Sequence, residues 1–580
     1  MTTPRLPAPF SRRDTPSGTV IGSREPASAG GEVHAWRGLR YAAPPLGPLR
    51  WRAPQPAPRW DGELQALGHG AIAPQFAGRI AALPASQHGQ VVGDEDCLWL
   101  NVFAPVDVEG PLPVMVWIHG GGNAVGTAAT FDVARNLAAR DRVIVVTVNY
   151  RLGVLGWFAH PALQQAPDLS GEDCSGNFAL LDLIAALRWV QSHIAAFGGD
   201  PGCVTVFGES AGGQQVLMLL ASPLAKGLFH RAIAQSPVCE SFSRDEAIRG
   251  LDSPLDSHRC GSEEVVRRLL ARAGLAAAPD DLATWLRSLS PAELLAVHAH
   301  GSEGIYLAPR PIRDGVVLPL APLPELFSQG DWNRVPVLLG SNRDEFRTFL
   351  AGKPEHCRLI GGKLPVLKDR AAYRYESGMM SRAWRAHHVD RPADAMLEGG
   401  HADVWTYRFD WDEAPAIPFI RPDLLLGAAH AMEQAFAFRD LAGEFDIFQV
   451  NTPFNRAGRR ALCDAMGSAW TAFARHGRPE VAGGPPWPAR RLQGADSLVF
   501  DTPRDGGLRM AAMRESLATL QAELEQPSAH SALQRLRCFA RLFLWTPLIA
   551  GVVDAAAYER LRARLGRSEA AEAFRPVMEI

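Results

Sequence analysis

The stretch at residues 204–212, with the sequence VTVFGESAG, decides the fold. Residues 204–207 are a short apolar run that predicts a buried strand, and the apolar run at 216–220 predicts a helix. Between them, residues 208–212 have the pattern G-x-S-x-G, which alone would equally fit an ordinary Gly/Ser turn in a chain with 54 Gly. Its position between strand and helix favours a nucleophile elbow, a sharp turn that projects the Ser210 hydroxyl from the carboxyl edge of a sheet.

Three further runs rich in Val and Ile predict more strands covered on both faces, with buried helix segments as the alternative. They lie at residues 114–118, 143–148 and 335–339. Helical patterns lie between them, such as residues 178–195, where apolar residues recur at i, i+3, i+4 and i+7. Strands that alternate with helices predict an α/β fold, with a mostly parallel central sheet and helices on both faces.

A glycine-rich loop, HGGG at residues 119–122, follows the predicted strand at 114–118 directly. Glycines expose backbone N–H groups without a side chain in the way, and such a loop forms one half of an oxyanion hole. The other half is the N–H of the residue after the nucleophile. The candidate donors are therefore Gly121, Gly122 and Ala211, and a flexible glycine turn is the alternative that the ordered pair of motifs disfavours.

Composition narrows the class of protein. Of 580 residues, 47% are hydrophobic and 21% charged, which suits a large core and excludes a disordered chain. The net charge of −3 does not indicate a protein that binds nucleic acid or one that binds membranes through a polybasic segment. Eight Cys are too few for a disulfide scaffold. Residues 1–15 lack the apolar segment of a signal peptide, and the apolar run at 542–553 is too short to span a bilayer. We expect a soluble, cytoplasmic protein.

The remaining patterns predict the domain organisation. Residues 239–304 are helical in pattern and include a capping box at 290–293, whereas residues 350–420 are mixed. We expect both stretches to be insertions over the functional edge of a catalytic domain at 1–514. Residues 515–580 predict a C-terminal helical extension. Its apolar side chains are expected to cover the body of the same chain, with a dimer interface or an amphipathic lid as alternatives. These side chains are Leu536, Phe539, Leu542, Phe543 and Trp545.

Several ordered motifs together resemble the type-B carboxylesterases, the cholinesterase-like branch of the α/β-hydrolases. The resemblance covers most of residues 30–515. The matching segments are RGLRYAAPP at 37–45, EDCLWLNV at 95–102, FGGDP at 197–201 with the elbow, WTAFA at 470–474 and WP at 487–488. The resemblance implies an α/β-hydrolase fold and helical insertions over the active site.

The same resemblance implies a catalytic triad in the chain order Ser, acid, His. Residues 340–345 (GSNRDE) resemble the family's G-x-N-x-D-E turn, which selects Glu345 as the acid, with Asp344 as the runner-up. Residues 427–433 (GAAHAME) resemble G-x-x-H-x-x-E, which selects His430. With Ser210 as the nucleophile, the implied activity is hydrolysis of small-molecule carboxylic esters through an acyl-enzyme, with no cofactor or metal, by a monomer or homodimer.

Two alternatives to ester hydrolysis stay open on the sequence. The same triad could cleave amide or carbamate bonds, which no residue pattern separates from esters. A binding protein on the same fold is the other alternative, but such relatives lose the nucleophile or its partners. In the family, the Glu beside the nucleophile joins a polar network that maps here to Glu209, Ser236 and Glu433. A structural carboxylate is the alternative role of Glu209.

Two positions at which the chain differs from the family, and one pair of histidines, lead to further predictions. The Cys that pairs with Cys97 in secreted relatives has no counterpart at residues 71–75, so Cys97 is predicted to be a buried free thiol. Asn123 stands where the family usually has an aromatic residue. It is predicted to face the substrate, or alternatively to hydrogen-bond its own loop. The pair His387 and His388 is predicted to lie on the solvated surface.

Overall fold

The computed structural model describes residues 11–574, apart from 108, 251–260, 302, 307–309, 362–363, 416–420, 447–448, 493, 495 and 545–554. The strands are β1 Ser11–Thr15, β2 Gly18–Pro26, β3 Glu32–Arg40, β4 Glu63–Gln65, β5 Gln75–Phe76, β6 Val91–Val92, β7 Trp99–Pro105, β8 Leu112–Ile118, β9 Ile144–Val148, β10 Gly199–Glu209, β11 Arg231–Gln235, β12 Phe242–Ser243, β13 Ile312–Arg313, β14 Val337–Asn342, β15 Cys357–Ile360, β16 Leu364–Leu367, β17 Val404–Phe409, β18 Ser497–Phe500 and β19 Arg509–Ala511. The helices are α1 Ala134–Asp141, α2 Gly153–Gly156, α3 Phe178–His193, α4 Ala211–Ala221, α5 Arg244–Arg249, α6 Ser262–Arg272, α7 Leu282–Ser288, α8 Pro291–Leu295, α9 Leu323–Gln329, α10 Arg347–Leu350, α11 Arg370–Arg385, α12 Arg391–Glu398, α13 Pro422–Leu425, α14 Glu433–Ala437, α15 Arg456–His476, α16 Leu517–Glu525, α17 Ala532–Phe543 and α18 Ala555–Arg564.

One large sheet organises the described part of the chain. Its order is β1-β2-β3-β7-β9-β8-β10-β11-β14-β17-β18-β19, with β4 paired to β2. The pairs from β9 through β18 are parallel, while β1, β2, β3 and β7 at one end and β19 at the other pair antiparallel. The predicted α/β-hydrolase architecture, with a mostly parallel sheet, is confirmed.

The central strands are apolar on both faces because helices cover both faces. In β8, Val114, Val116 and Ile118 join one buried cluster, whereas Met115 and Trp117 join a second. Side chains alternate between faces along a strand, so the two clusters lie on opposite sides of the sheet. Helices α3 and α4 contribute to the first cluster, and α1, α14 and α15 contribute to the second. This explains the unalternating runs of the sequence.

The four strands predicted from apolar runs are all present, as β8, β9, β10 and β14. Helix α3 follows the predicted pattern, and a short 3-10 turn, Ile194–Phe197, completes it. Within the described residues, the stretch Phe178–Phe197 is long and apolar enough to cross a membrane, but 67% of its most apolar window is buried inside the protein.

Helices α5 to α8 occupy the first stretch predicted to be an insertion, and Ser290 caps α8 through the predicted capping box with Glu293. The second stretch is mixed: it holds the β15–β16 hairpin, α11, a π-helical turn at Ala386–Asp390 and α12. It also contains β17, which pairs with β14 and β18 in the main sheet. The residues from 404 to 409 are therefore part of the sheet, because their apolar side chains are buried in it. The domain boundary at 514 stays a prediction.

The C-terminal extension packs on α11. Leu536, Phe539, Leu542 and Phe543 of α17 are buried in a third apolar cluster that also includes Trp384 of α11. Trp545 lies outside the described residues. The seven described cysteines are all free, and Cys97 is fully buried, as predicted. Burial raises the pKa of the Cys97 thiol.

Candidate active site

Ser210 lies at the sharp turn between β10 and α4. Strand β10 ends at Glu209 and α4 begins at Ala211. The backbone of Ser210 has φ 57° and ψ −120°, a conformation that non-glycine residues rarely adopt and that is costly to hold. A side chain at Gly212 would collide with the carbonyl oxygen of Ile118, so only glycine permits this crossing of α4 over β8. The side chain of Ser210 is partly exposed, as the elbow geometry requires.

The glycine-rich loop lies beside this elbow because β8 and β10 are neighbours in parallel register. A Cβ atom on Gly120 would come within 3.1 Å of the Ser210 Cβ, which shows how closely the loop approaches the serine. The N–H groups of Gly121 and Gly122 donate to no acceptor among the described residues. Ala211 is the first residue of α4, where N–H groups have no acceptor within the helix. Unpaired amides of both motifs therefore flank Ser210.

The predicted acid and the predicted histidine are brought together from distant parts of the chain. Oε2 of Glu345, just after β14, lies 2.6 Å from Nδ1 of His430. Oε1 of the same carboxylate accepts hydrogen bonds from the Ser236 hydroxyl at 2.7 Å and from the Asn342 N–H at 2.6 Å. Glu345 is fully buried. These contacts fix the carboxylate, which in turn fixes the orientation and the tautomer of the imidazole.

Asp344, the runner-up acid, is engaged elsewhere. Its carboxylate forms ion pairs with Arg343 at 2.8 Å and with Arg347 at 3.0 Å, and it accepts the N–H of Ala428. This carboxylate makes no hydrogen bond to His430 among the described residues. Glu345, and not Asp344, is therefore the acidic residue of this turn that contacts His430, a choice that sequence spacing alone could not make.

Glu209 faces the second ring nitrogen of His430. Its Oε1 lies 3.1 Å from Nε2, although the two groups are not aligned as a hydrogen bond, while its Oε2 accepts the Gln434 amide N–H at 2.7 Å. Burial disfavours the imidazolium, but the carboxylates of Glu209 and Glu345 outweigh it and raise the pKa of His430 to about 9. Burial raises the pKa of Glu209, as does repulsion from Glu433 and Glu345, while attraction to the charged His430 lowers it and favours the carboxylate.

The hydroxyl of Ser210 makes no hydrogen bond to His430 in this structure, among the described residues. Nε2 of His430 is buried and has no hydrogen-bond partner there. An imidazole held by a carboxylate on one nitrogen, with no hydrogen bond on the other, can accept a proton from a neighbouring hydroxyl. Catalytic hydrogen bonds are often long in the absence of substrate. The arrangement has the chemical parts of a serine nucleophile and its base.

The comparisons with known proteins agree with this chemistry. The model of the carboxylesterase family matches residues 11–364. The chain belongs to the carboxylesterase family. It is 33% identical to the para-nitrobenzyl esterase of Bacillus subtilis (strain 168), over 81% of this chain and 91% of that protein. It is also 34% identical to the fumonisin B1 esterase of Sphingopyxis macrogoltabida, over 89% and 90%. A solved structure of a PNB esterase superposes with a TM-score of 0.66 at 29% identity, and covers 89% of this chain and 100% of that chain. The protein is therefore a carboxylic ester hydrolase of the serine hydrolase type.

The three residues of the polar network that the resemblance implied are connected through other side chains in this carboxylesterase. Ser236 donates to Glu345 and not to Glu209. Glu433 accepts from the Asn342 amide at 2.6 Å and from Gln235 at 3.1 Å, and makes no hydrogen bond to Glu209 among the described residues. Glu209, Ser236 and Glu433 are thus buried together but are linked, within the described residues, only through His430, Glu345 and Asn342, because Ser236 lies beside the carboxyl end of β14 and the acid that follows it.

Aromatic side chains that the motifs did not identify pack on His430. The ring centroid of Trp384, from α11, lies 5.0 Å from the centroid of the imidazole, and that of Phe349, from α10, lies 5.4 Å from it. These contacts help to exclude water from the imidazole. The composition of this region carries no signal for them, since they depend on how α10 and α11 pack beside His430.

Asn123 lies neither in the substrate pocket with unpaired groups nor against its own loop. Its side chain is 4% exposed, donates to Gln214 Oε1 at 2.8 Å and accepts from Gln215 Nε2 at 3.1 Å. The prediction that it faces the substrate is wrong, because two glutamines of α4 satisfy its amide. Sequence separation of about 90 residues hid these partners.

The pair His387 and His388 is buried, so the prediction of a surface position is also wrong. Nε2 of His387 lies 2.5 Å from Oε1 of Glu240, and Nδ1 of His388 accepts the N–H of Cys239 at 3.1 Å. Glu240, His387 and His388 place potential metal-ligand atoms within 4.8 Å of one another. Because Nδ1 of His388 already accepts a hydrogen bond, a metal on its Nε2 would require an imidazolate. The cluster therefore suits hydrogen-bonded packing between the π-helical turn at Ala386–Asp390 and the segment after β11 better than a metal site.

Proposed function

We propose that Ser210, Glu345 and His430 are the catalytic triad and that the N–H groups of Gly121, Gly122 and Ala211 form the oxyanion hole. The observation that carries the proposal is the 2.6 Å contact between Glu345 and Nδ1 of a buried His430, whose Nε2 has no aligned hydrogen-bond partner among the described residues. The strained backbone of Ser210 supports it, since strain of this kind persists where the surrounding structure enforces it and clusters at active sites.

The reaction follows from these roles. The hydroxyl oxygen of Ser210 attacks the ester carbonyl carbon while Nε2 of His430 takes the hydroxyl proton. The electron pair of the C=O π bond moves to the carbonyl oxygen, which becomes an oxyanion. The three N–H groups stabilise this oxyanion, and each donor of this kind contributes about 3–4 kcal/mol to lowering the barrier. The tetrahedral intermediate collapses, the alkoxide leaves with the proton from His430, and Ser210 carries the acyl group.

Deacylation repeats the steps with water. His430 removes a proton from water as it attacks the acyl carbon, and the second oxyanion collapses to release the acid and return the proton to Ser210. Glu345 stays ionised and stabilises the imidazolium in both halves. Neither half needs a redox or electrophilic group beyond the residues named.

The proposed substrates are small carboxylic esters. Relatives named for p-nitrobenzyl esters and for fumonisin B1 support a preference for esters over other acyl bonds. A p-nitrophenyl ester and a p-nitroanilide with the same acyl group, together with a p-nitrophenyl carbamate of similar size, test this directly. We expect kcat/KM for the ester to exceed the other two by about 100-fold or more, because an aryloxide leaves without the protonation that an amine needs, and because the carbamate nitrogen donates electrons to its carbonyl carbon. Equal turnover of the anilide would overturn the ester assignment.

The triad is tested by substitution. Ser210→Ala, Glu345→Gln and His430→Ala should each lower kcat by about 10³-fold or more, while circular dichroism and the unfolding temperature stay close to wild type. Ser288→Ala, an exposed serine on α7, is the matched control and should keep full turnover. Full turnover in Ser210→Ala would refute the assignment.

A cytoplasmic location and a monomeric or homodimeric state remain part of the proposal. The free state of the seven described cysteines supports a reducing compartment. Fractionation of native cells, followed by size-exclusion chromatography with light scattering, would test both points.

A further inference from the structure

Asn123 joins the glycine-rich loop to the helix behind the nucleophile. Its amide nitrogen donates to Gln214 and its amide oxygen accepts from Gln215, and both glutamines lie on the first turn and a half of α4. Asn123 follows Gly121 and Gly122 directly, and α4 begins at Ala211. One buried side chain therefore ties together the two backbone segments that carry the proposed oxyanion donors.

The direction of these hydrogen bonds is set by a backbone group. Nε2 of Gln214 donates to the carbonyl oxygen of Glu240 at 2.6 Å. A carbonyl can only accept, so Gln214 must present its oxygen to Asn123. Asn123 must then donate through Nδ2 and accept through Oδ1, where Gln215 donates. Each link requires an amide at position 123, since an aromatic residue or a carboxylate cannot make both bonds.

The backbone at this position also suits Asn. The φ angle of Asn123 is 62°, in the left-handed region that Asn tolerates better than most non-glycine residues. Its carbonyl accepts the N–H of Gly153 at 2.7 Å. The turn is thus held by its backbone on one side and by its side chain on the other.

We propose that Asn123 is a positioning residue that keeps the two halves of the oxyanion hole in register, an inference that rests on the proposed function. Oxyanion donors act when they lie 2.7–3.1 Å from the developing charge, and a misplacement of about 1 Å can cost about 100-fold in rate. The Gly121 and Gly122 donors lie on a loop rich in glycine, which has little stiffness of its own. The two hydrogen bonds that join Asn123 to Gln214 and Gln215 supply that stiffness.

The test separates the side chain from the backbone turn. Asn123→Gly removes both hydrogen bonds but keeps the positive φ without strain, whereas Gln215→Ala removes, from the α4 side, only the bond that Asn123 Oδ1 accepts. We expect each variant to lower kcat by about tenfold with KM within about twofold, because the loss falls on the transition state. Affinity for a trifluoromethyl ketone, whose adduct with a serine hydroxyl carries an oxyanion, should fall by about the same factor as kcat. The double variant Asn123→Gly/Gln215→Ala should show no further loss.

Three results would overturn the inference: kcat within about twofold of wild type in both single variants, a loss in KM alone, or additive losses in the double variant. If Asn123→Gly does not fold, Gln215→Ala decides by the same measurements. Ser210→Ala distinguishes the two proposals. Retained turnover in Ser210→Ala refutes the proposed function, whereas an inactive Ser210→Ala beside fully active Asn123→Gly and Gln215→Ala variants refutes only the positioning role of Asn123.

Discussion

Replacing Glu209 with Gln tests the electrostatics around the proposed base. Oε1 of Glu209 lies 3.1 Å from Nε2 of His430, and its charge, with that of Glu345, outweighs burial and raises the pKa of His430 to about 9. The substitution removes one charge at nearly constant volume. The amide oxygen of the new residue can still accept from Gln434.

The expected size of the effect follows from this distance. An opposite charge within 4–6 Å of a titrating group shifts its pKa by about 1–3 units. Loss of the Glu209 charge should therefore lower the pKa of His430 from about 9 by about 1–3 units, a change of about 1.4–4 kcal/mol. The base must be neutral to accept the serine proton, so kcat/KM rises with pH through this pKa. The acid limb of Glu209→Gln should accordingly move to lower pH.

The assay is the pH dependence of kcat/KM for one p-nitrophenyl ester, fitted for the position of the acid limb and not for its height. Glu433→Gln is the matched control, because Glu433 is buried in the same cluster but bonds to Asn342 and Gln235. It should move the limb less. An acid limb in Glu209→Gln within about 0.3 unit of wild type would refute the reasoning, since Glu209 would then contribute no charge to His430.

Two further predictions concern the C-terminal extension and the thiols. Phe539→Ala should lower the free energy of unfolding by about 3–5 kcal/mol in chemical denaturation, because Phe539 is fully buried against the α11 cluster. Leu533→Ala, on the same helix but 40% exposed, should change it by less than about 0.5 kcal/mol, and equal effects would show that α17 does not dock as described. Titration with a thiol reagent under denaturing, non-reducing conditions should find all eight cysteines free, and a disulfide at Cys97 would contradict the expected reducing compartment.

The sequence predicted the parts of this structure that depend on local pattern. Apolar runs identified β8, β9, β10 and β14, and the capping box at Ser290 marked the start of α8. The glycines around Ser210 marked the elbow, because a sharp turn at which the chain crosses another strand leaves no room for side chains. The resemblance to the family's G-x-N-x-D-E and G-x-x-H-x-x-E motifs selected Glu345 and His430, and the fold brings their side chains to 2.6 Å.

The contacts that could not be predicted from the sequence are those between segments far apart in the chain. Asn123 finds its partners on α4, 91 and 92 residues away, and no local pattern announces an amide chain of that kind. His388 is buried because the π-helical turn directs it to the backbone of Cys239, 149 residues earlier. Ser236 meets Glu345 because β11 and β14 are neighbours, which is a property of the strand order. Each contact depends on the topology of the fold, which cannot be read from the type of any single residue.

The most direct test of the account is the site of covalent labelling by a fluorophosphonate. Intact mass spectrometry should show one adduct per chain, peptide mapping should place it on Ser210, and turnover should fall in proportion to labelling. Ser210→Ala should take up no label, and His430→Ala should react far more slowly than wild type because the base is missing. An adduct on any other residue, or labelling of Ser210→Ala at the wild-type rate, would contradict the claim that Ser210 is the nucleophile of this carboxylesterase.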